Sequence, residues 1–163
     1  YSNHRYAMKT HKIFTFLAFY ASTFVAASSA AVWDVGGTWY QSLTQPSFTP
    51  PPWVFGPVWT VLYLMIAIVA CRIAYAAETP WKMPALALWA LQIALNTLWT
   101  PVFFGAKNLG GAMVYIGLFW VTICLLIWVT RKVDKLSAIL LLPYLAWVSF
   151  ASILNFAFWA LNP

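Results

Sequence analysis

The sequence predicts an all-α integral membrane protein, a bundle of five transmembrane helices with a proline-rich loop between the first and the second. Three observations lead there. Of the 163 residues, 63% are hydrophobic and 7% charged, where a soluble domain carries roughly 25% charged residues. The apolar residues come in blocks of about 20, the length that crosses a hydrocarbon core of about 30 Å at 1.5 Å per residue. The longest non-apolar stretch, Asp34 to Pro52, holds Gly36-Gly37, Pro46 and Pro50-Pro51-Pro52. Such a segment belongs outside the hydrocarbon, where water can satisfy its backbone.

Residues 1–12 read as an N-terminal tail and residues 13–163 as one transmembrane domain without repeats. Helix one covers about 13–33. Its alternative reading is a cleaved signal peptide, since Met8-Lys-Thr-His-Lys12, an apolar run and Ser28-Ser29-Ala30 follow that pattern. Length favours a span, and four more follow. The loop has room for a short helix near Trp39 to Leu43. Helix two covers about 53–77, with proline tolerated in its first turn, and helix three about 83–104, with Pro101 near its end. Helices four and five cover about 110–130 and 136–161. Short connections make sequential helices antiparallel neighbours.

Charge sets the orientation. Arg5, Lys9, Lys12, Arg72, Lys82, Arg131, Lys132 and Lys135 fall on one side of this arrangement and only Lys107 on the other. The positive-inside rule then places the N-terminus in the cytoplasm and the proline-rich loop outside. With no organelle-targeting feature, the expected host is a bacterial cytoplasmic membrane. The net charge of +6 does not point to nucleic acid, because the basic residues sit singly at block ends and form no stripe. Cys71 and Cys124 lie in separate apolar blocks without a CxxC, so neither a disulfide framework nor a metal site is expected.

Ionisable groups inside a bilayer mark ion pathways and proton relays. Here the three acids Asp34, Glu78 and Asp134 all fall in connections, and both histidines, His4 and His11, precede helix one. Ion-coupled transport and ordinary acid–base catalysis therefore lose support. What remains inside is aromatic and weakly polar, which suits a flat apolar ligand held by stacking and a few hydrogen bonds. On helix three Gln92, Asn96 and Thr100 recur every fourth residue and form one polar stripe beside Trp99. They serve equally well as interhelical glue or as pocket groups. On helix two Phe55, Trp59 and Tyr63 share a face, and on helix five Trp147, Ala151 and Asn155 do so. Trp33, Trp53, Trp81 and Trp159 sit near helix ends as interfacial anchors. Ala90 and Ala94 permit close approach of a second helix, and so a homodimer.

The combination of Trp39-Tyr40, Leu43, Pro46, Pro50-Pro51, Phe55, Trp59 and Leu62-Tyr63 resembles the loop and second helix of the tryptophan-rich sensory protein and translocator protein family, which includes the peripheral-type benzodiazepine receptor. The run from Gln92 to Phe104 resembles its third helix, and Leu142-Pro143-Tyr144-Leu145-Ala-Trp147 through Asn155 its fifth. Nearly the whole chain after residue 12 is covered.

The resemblance implies a five-helix bundle, usually a homodimer in the lipid bilayer, whose pocket binds porphyrins such as protoporphyrin IX and synthetic ligands of the benzodiazepine-site type. It also implies a part in tetrapyrrole and stress regulation. Carried over by position, the ligand-binding residues are Trp39, Tyr40 and Pro50 from the loop, Trp59 and Tyr63 from helix two, Asn96, Trp99, Thr100 and Phe103 from helix three, and Trp147 and Ala151 from helix five. No cofactor is required beyond the porphyrin as ligand. Two other functions stay open, transport of tetrapyrroles or related amphiphiles, and light-dependent porphyrin breakdown with Trp59 and Trp147 as the photochemical residues. Two positions depart from the family. Gln45 stands where many relatives carry a Lys that could meet a porphyrin propionate. Phe156 replaces the Tyr of the cholesterol motif, and no basic residue follows it.

Overall fold

The computed structural model describes Thr15, residues 38–101 and residues 107–163, and every regular element among them is helical. Helix one of the sequence reading, apart from Thr15, and Phe103 lie outside the described residues. A five-residue helix, α1 (Thr38–Ser42), sits in the loop close to where the sequence placed one. A 3-10 turn, Pro52–Val54, then leads into α2 (Phe55–Ala74). Pro51 holds an extended backbone (φ −56°, ψ 143°) and Pro52 starts the turn, where a missing N–H costs nothing. The remaining helices are α3 (Lys82–Thr100), α4 (Leu109–Thr130), α5 (Lys135–Leu140) and α6 (Leu142–Leu161).

Among the described residues, three stretches are long and apolar enough to cross a membrane, Phe55–Ala74, Leu109–Thr130 and Lys135–Leu161. At 1.5 Å per residue each reaches about 30 Å or more. Helix α3 has 19 residues, but Gln92, Asn96 and Thr97 lower its apolarity. It nevertheless packs against both α2 and α4 as part of the same bundle.

Two boundaries carry local chemistry. Lys107 takes the left-handed backbone (φ 52°), and Asn108 then caps α4 by accepting the Gly111 N–H at 2.9 Å. A Cβ on Gly111 would come within 2.8 Å of the Asn108 amide nitrogen, so any larger residue there would push the capping side chain aside. The sequence reading has helix five continuous over 136–161, and the structure has one helical run, Lys135–Leu161, with a single irregular residue, Leu141, between α5 and α6. Pro143 is the cause, since it has no N–H to offer the preceding turn and its ring crowds that turn. The Leu141 N–H is shared between the carbonyls of Ser137 and Ala138, both at 3.2 Å.

Packing separates two apolar clusters. The larger gathers Leu62, Ile66 and Ile73 of α2, Trp89 of α3, Phe119, Ile123 and Leu126 of α4, and Tyr144 and Val148 of α6. The smaller joins Leu109 and Ala112 of α4 to Leu154 and Phe158 of α6, and the loop closes over it with Trp39, Tyr40 and Leu43. Large apolar side chains such as Val114, Leu118 and Ile153 point outward, the pattern expected where lipid is the solvent.

Candidate ligand site: an aromatic cluster beside a polar chain

On α2 the four-residue spacing of Phe55, Trp59 and Tyr63 stacks three rings on one face. The Trp59 and Tyr63 rings lie 5.3 Å apart and nearly parallel, at 27°. Opposite them α6 contributes Tyr144, Trp147 and Phe150. Trp59 meets Trp147 edge to face at 6.4 Å and Tyr144 at 6.3 Å, and Trp147 meets Phe55 at 5.7 Å and Phe150 at 5.7 Å. Edge-to-face and offset rings at these separations are favourable beyond their buried area. Ala151, one turn beyond Trp147, is half-buried against the same cluster.

Beside the rings runs a chain of hydrogen bonds linking three helices. Tyr63 donates its hydroxyl to Asn96 Oδ1 at 2.8 Å, Asn96 Nδ2 donates to the Tyr144 hydroxyl at 3.0 Å, and Tyr144 donates to Gln92 Oε1 at 2.8 Å. Gln92 and Asn96 are buried, as their four-residue stripe requires. Gln92 Nε2, and both amide atoms of Asn155 on α6, are buried without a partner among the described residues.

The loop part of the predicted site stands over the smaller cluster. Tyr40 packs its ring 5.5 Å from Phe158, and its half-burial pushes the phenol pKa up, so it stays a neutral hydroxyl. Trp39 joins the same cluster, while Pro50 is half-buried farther along the loop. Trp99 packs against both clusters, with its ring 6.1 Å from Tyr115, and is the link between the two halves of the site.

Trp59, Tyr63, Asn96, Trp147 and Ala151 are thus brought together around the larger cluster, and Trp39, Tyr40 and Trp99 around the smaller. Thr100 is the last residue of α3, and Phe103 lies outside the described residues. Tyr144, 1% exposed and bonded to both Asn96 and Gln92, is the central group that the predicted set left out. Its signal was its place three residues before Trp147, on the same helical face.

The TspO/MBR family model matches residues 13–160. This chain belongs to the TspO/MBR family. It is similar to Protein CrtK of Rhodobacter capsulatus, 41% identical over 152 residues, which cover 91% of this chain and 92% of the relative. It is 37% identical to the tryptophan-rich sensory protein of Cereibacter sphaeroides over 147 residues, 90% of each chain. The translocator protein of Homo sapiens is 37% identical over 136 residues, 78% of this chain and 76% of the human one. As a TspO/MBR member it is a membrane protein, in agreement with its apolar helices.

Proposed function

We propose that this TspO/MBR protein is a membrane receptor or sensor that binds a porphyrin, of the protoporphyrin IX kind, against the rings of Trp59, Tyr63 and Trp147. Ligands of the benzodiazepine-site type would share the place. The observation that carries the reading is the ring set beside the Tyr63–Asn96–Tyr144–Gln92 chain. Flat aromatic faces supply dispersion area, amide and hydroxyl groups supply orientation, and no acid or base stands among them. The name of the Cereibacter relative, a sensory protein, agrees with a receptor role. In this reading α1 and the loop after it form a cover over the site, and a second copy packs on the outward face of α3, where Ala90 and Ala94 are exposed.

The test is saturable quenching of tryptophan fluorescence by protoporphyrin IX in detergent or nanodiscs. Trp147→Ala combined with Tyr40→Ala is expected to abolish saturation, and unchanged binding in that variant would overturn the site. The edge-to-face contact of Trp59 and Trp147 favours a second reading, light-dependent breakdown of the bound porphyrin. Illumination of the complex should then yield a defined product, and an equal yield from Trp59→Phe with Trp147→Phe would exclude these two indoles from the chemistry.

A further inference from the structure

At the end of the bundle that carries the α2–α3 and α4–α5 connections, the described basic residues are Arg72, Lys82, Arg131, Lys132 and Lys135. Two acids stand with them, and both are engaged. Asp134 accepts from Arg72 Nε at 2.7 Å, and Glu78 pairs with Lys82 at 2.9 Å. Arg131, Lys132 and Lys135 are exposed and have no acidic partner among the described residues.

Lys132 is not a loose surface lysine. Its ammonium stands 3.9 Å from the ring centre of Trp81 and 4.1 Å from that of Trp128, two indoles set edge to face at 5.9 Å. The Arg131 guanidinium lies 5.9 Å from the Trp128 ring. Cation–π contacts of this kind hold a charge in place without neutralising it. The aromatic cage is filled by the protein's own lysine, so it is closed to a choline headgroup and presents positive charge instead.

The apolar surface leading to this point supplies a second observation. Val114, Leu118, Val121, Leu125 and Trp128 recur on α4 at alternating four- and three-residue steps and are between 46% and 68% exposed. That spacing is one continuous helical face. From Val114 to Trp128 it extends about 21 Å at 1.5 Å per residue, longer than the roughly 15 Å of one leaflet's hydrocarbon. Arg131 and Lys132 follow Trp128 by three and four residues, one turn beyond the end of the stripe.

We infer that Arg131 and Lys132, positioned by Trp81 and Trp128, bind the headgroup phosphate of an acidic phospholipid whose acyl chain lies along the outward stripe of α4. An apolar track ending in fixed, uncompensated cations matches an anionic amphiphile. A zwitterionic lipid brings a second positive group to the same place and is disfavoured by the neighbouring Lys135. The site is on the outside of the bundle and is independent of the porphyrin reading.

Native mass spectrometry of the whole protein, loaded with equal amounts of phosphatidylglycerol and phosphatidylcholine of matched chains, tests this. Preferential retention of phosphatidylglycerol is expected, and equal retention of the two would overturn the site without any variant. Lys132→Gln and Arg131→Gln should each lower the preference about fivefold, the worth of one interfacial basic charge, whereas Lys107→Gln at the opposite end should leave it unchanged. An undiminished preference in the double variant would equally overturn the site. Excess inorganic phosphate should not displace the lipid, because the acyl chain holds it on α4, and displacement would show that a free anion suffices and reject the lipid assignment.

Discussion

The side-chain amide of Asn162 pairs with both main-chain polar groups of Thr44. The Asn162 side-chain oxygen accepts the Thr44 N–H at 2.8 Å, and its nitrogen donates to the Thr44 carbonyl at 3.0 Å. The same nitrogen lies 2.9 Å from the Phe158 carbonyl, so the residue just beyond α6 ties the loop to that helix. Two residues 118 apart in sequence thereby fix the cover over the smaller cluster.

Asn162→Ala should release this tether. Each exposed hydrogen bond of the pair is worth about 1 kcal/mol or less, so the helices are expected to keep their stability. Hydrogen exchange resolved to residues 43–50 is the measurement. The Thr44 amide should lose protection while the α4 amides keep theirs.

Tyr144→Phe removes the central hydroxyl of the polar chain and strands Asn96 Nδ2 and Gln92 Oε1 in a buried place. The expected loss is about 1–3 kcal/mol, the cost of leaving buried polar atoms unpaired. Tyr63→Phe ends only one bond, at a half-buried position, and should cost about 1 kcal/mol. Thermal unfolding of the two variants in the same detergent should rank them in that order.

Asn155 is 2% exposed, and neither of its amide atoms has a partner among the described residues. Leucine has nearly the same shape and nothing to desolvate. Asn155→Leu is therefore expected to raise the thermal midpoint, by a free energy on the order of 1–3 kcal/mol. A lower midpoint would show that the amide is needed for folding.

Asp134 is held below the ordinary carboxylate range by its hydrogen bond from Arg72, with a further one from the Ser137 hydroxyl at 2.6 Å. A depressed folded-state pKa gives stability that is present above the unfolded value of about 3.9 and is lost as pH falls through the folded one. The α2–α5 contact should accordingly be indifferent to pH between neutrality and about pH 5 and weaken below about pH 4. Wild type and Asp134→Asn should differ in thermal midpoint at neutral pH and converge in that acid range.

Periodicity carried most of the helical architecture into view, because apolar residues in span-length blocks have few other folded outcomes. The start of α4 was off by one residue, and α2 was shorter at both ends than its apolar block. The irregular residue at Leu141 leaves no trace in the apolar periodicity, because Pro143 removes one hydrogen bond without ending the helical run. At the site, the facing of Gln92 and Asn96 was visible from their spacing alone. For Tyr144 the spacing to Trp147 gave its face, but its bonds to Gln92 and Asn96 on a different helix are encoded in no local pattern. The exposure of Ala90 and Ala94 also depends on which neighbours α3 chooses.

The Tyr63–Asn96–Tyr144–Gln92 chain has a direction. Its three bonds all run the same way, so its first oxygen, on Tyr63, is left as an acceptor, and its last group, Gln92 Nε2, as a donor. A guest arriving at the Trp59–Tyr63 face with an N–H to give finds its complement there. One arriving with a bare carbonyl meets lone pairs at Tyr63, and gains a hydrogen bond there only if that hydroxyl gives up Asn96.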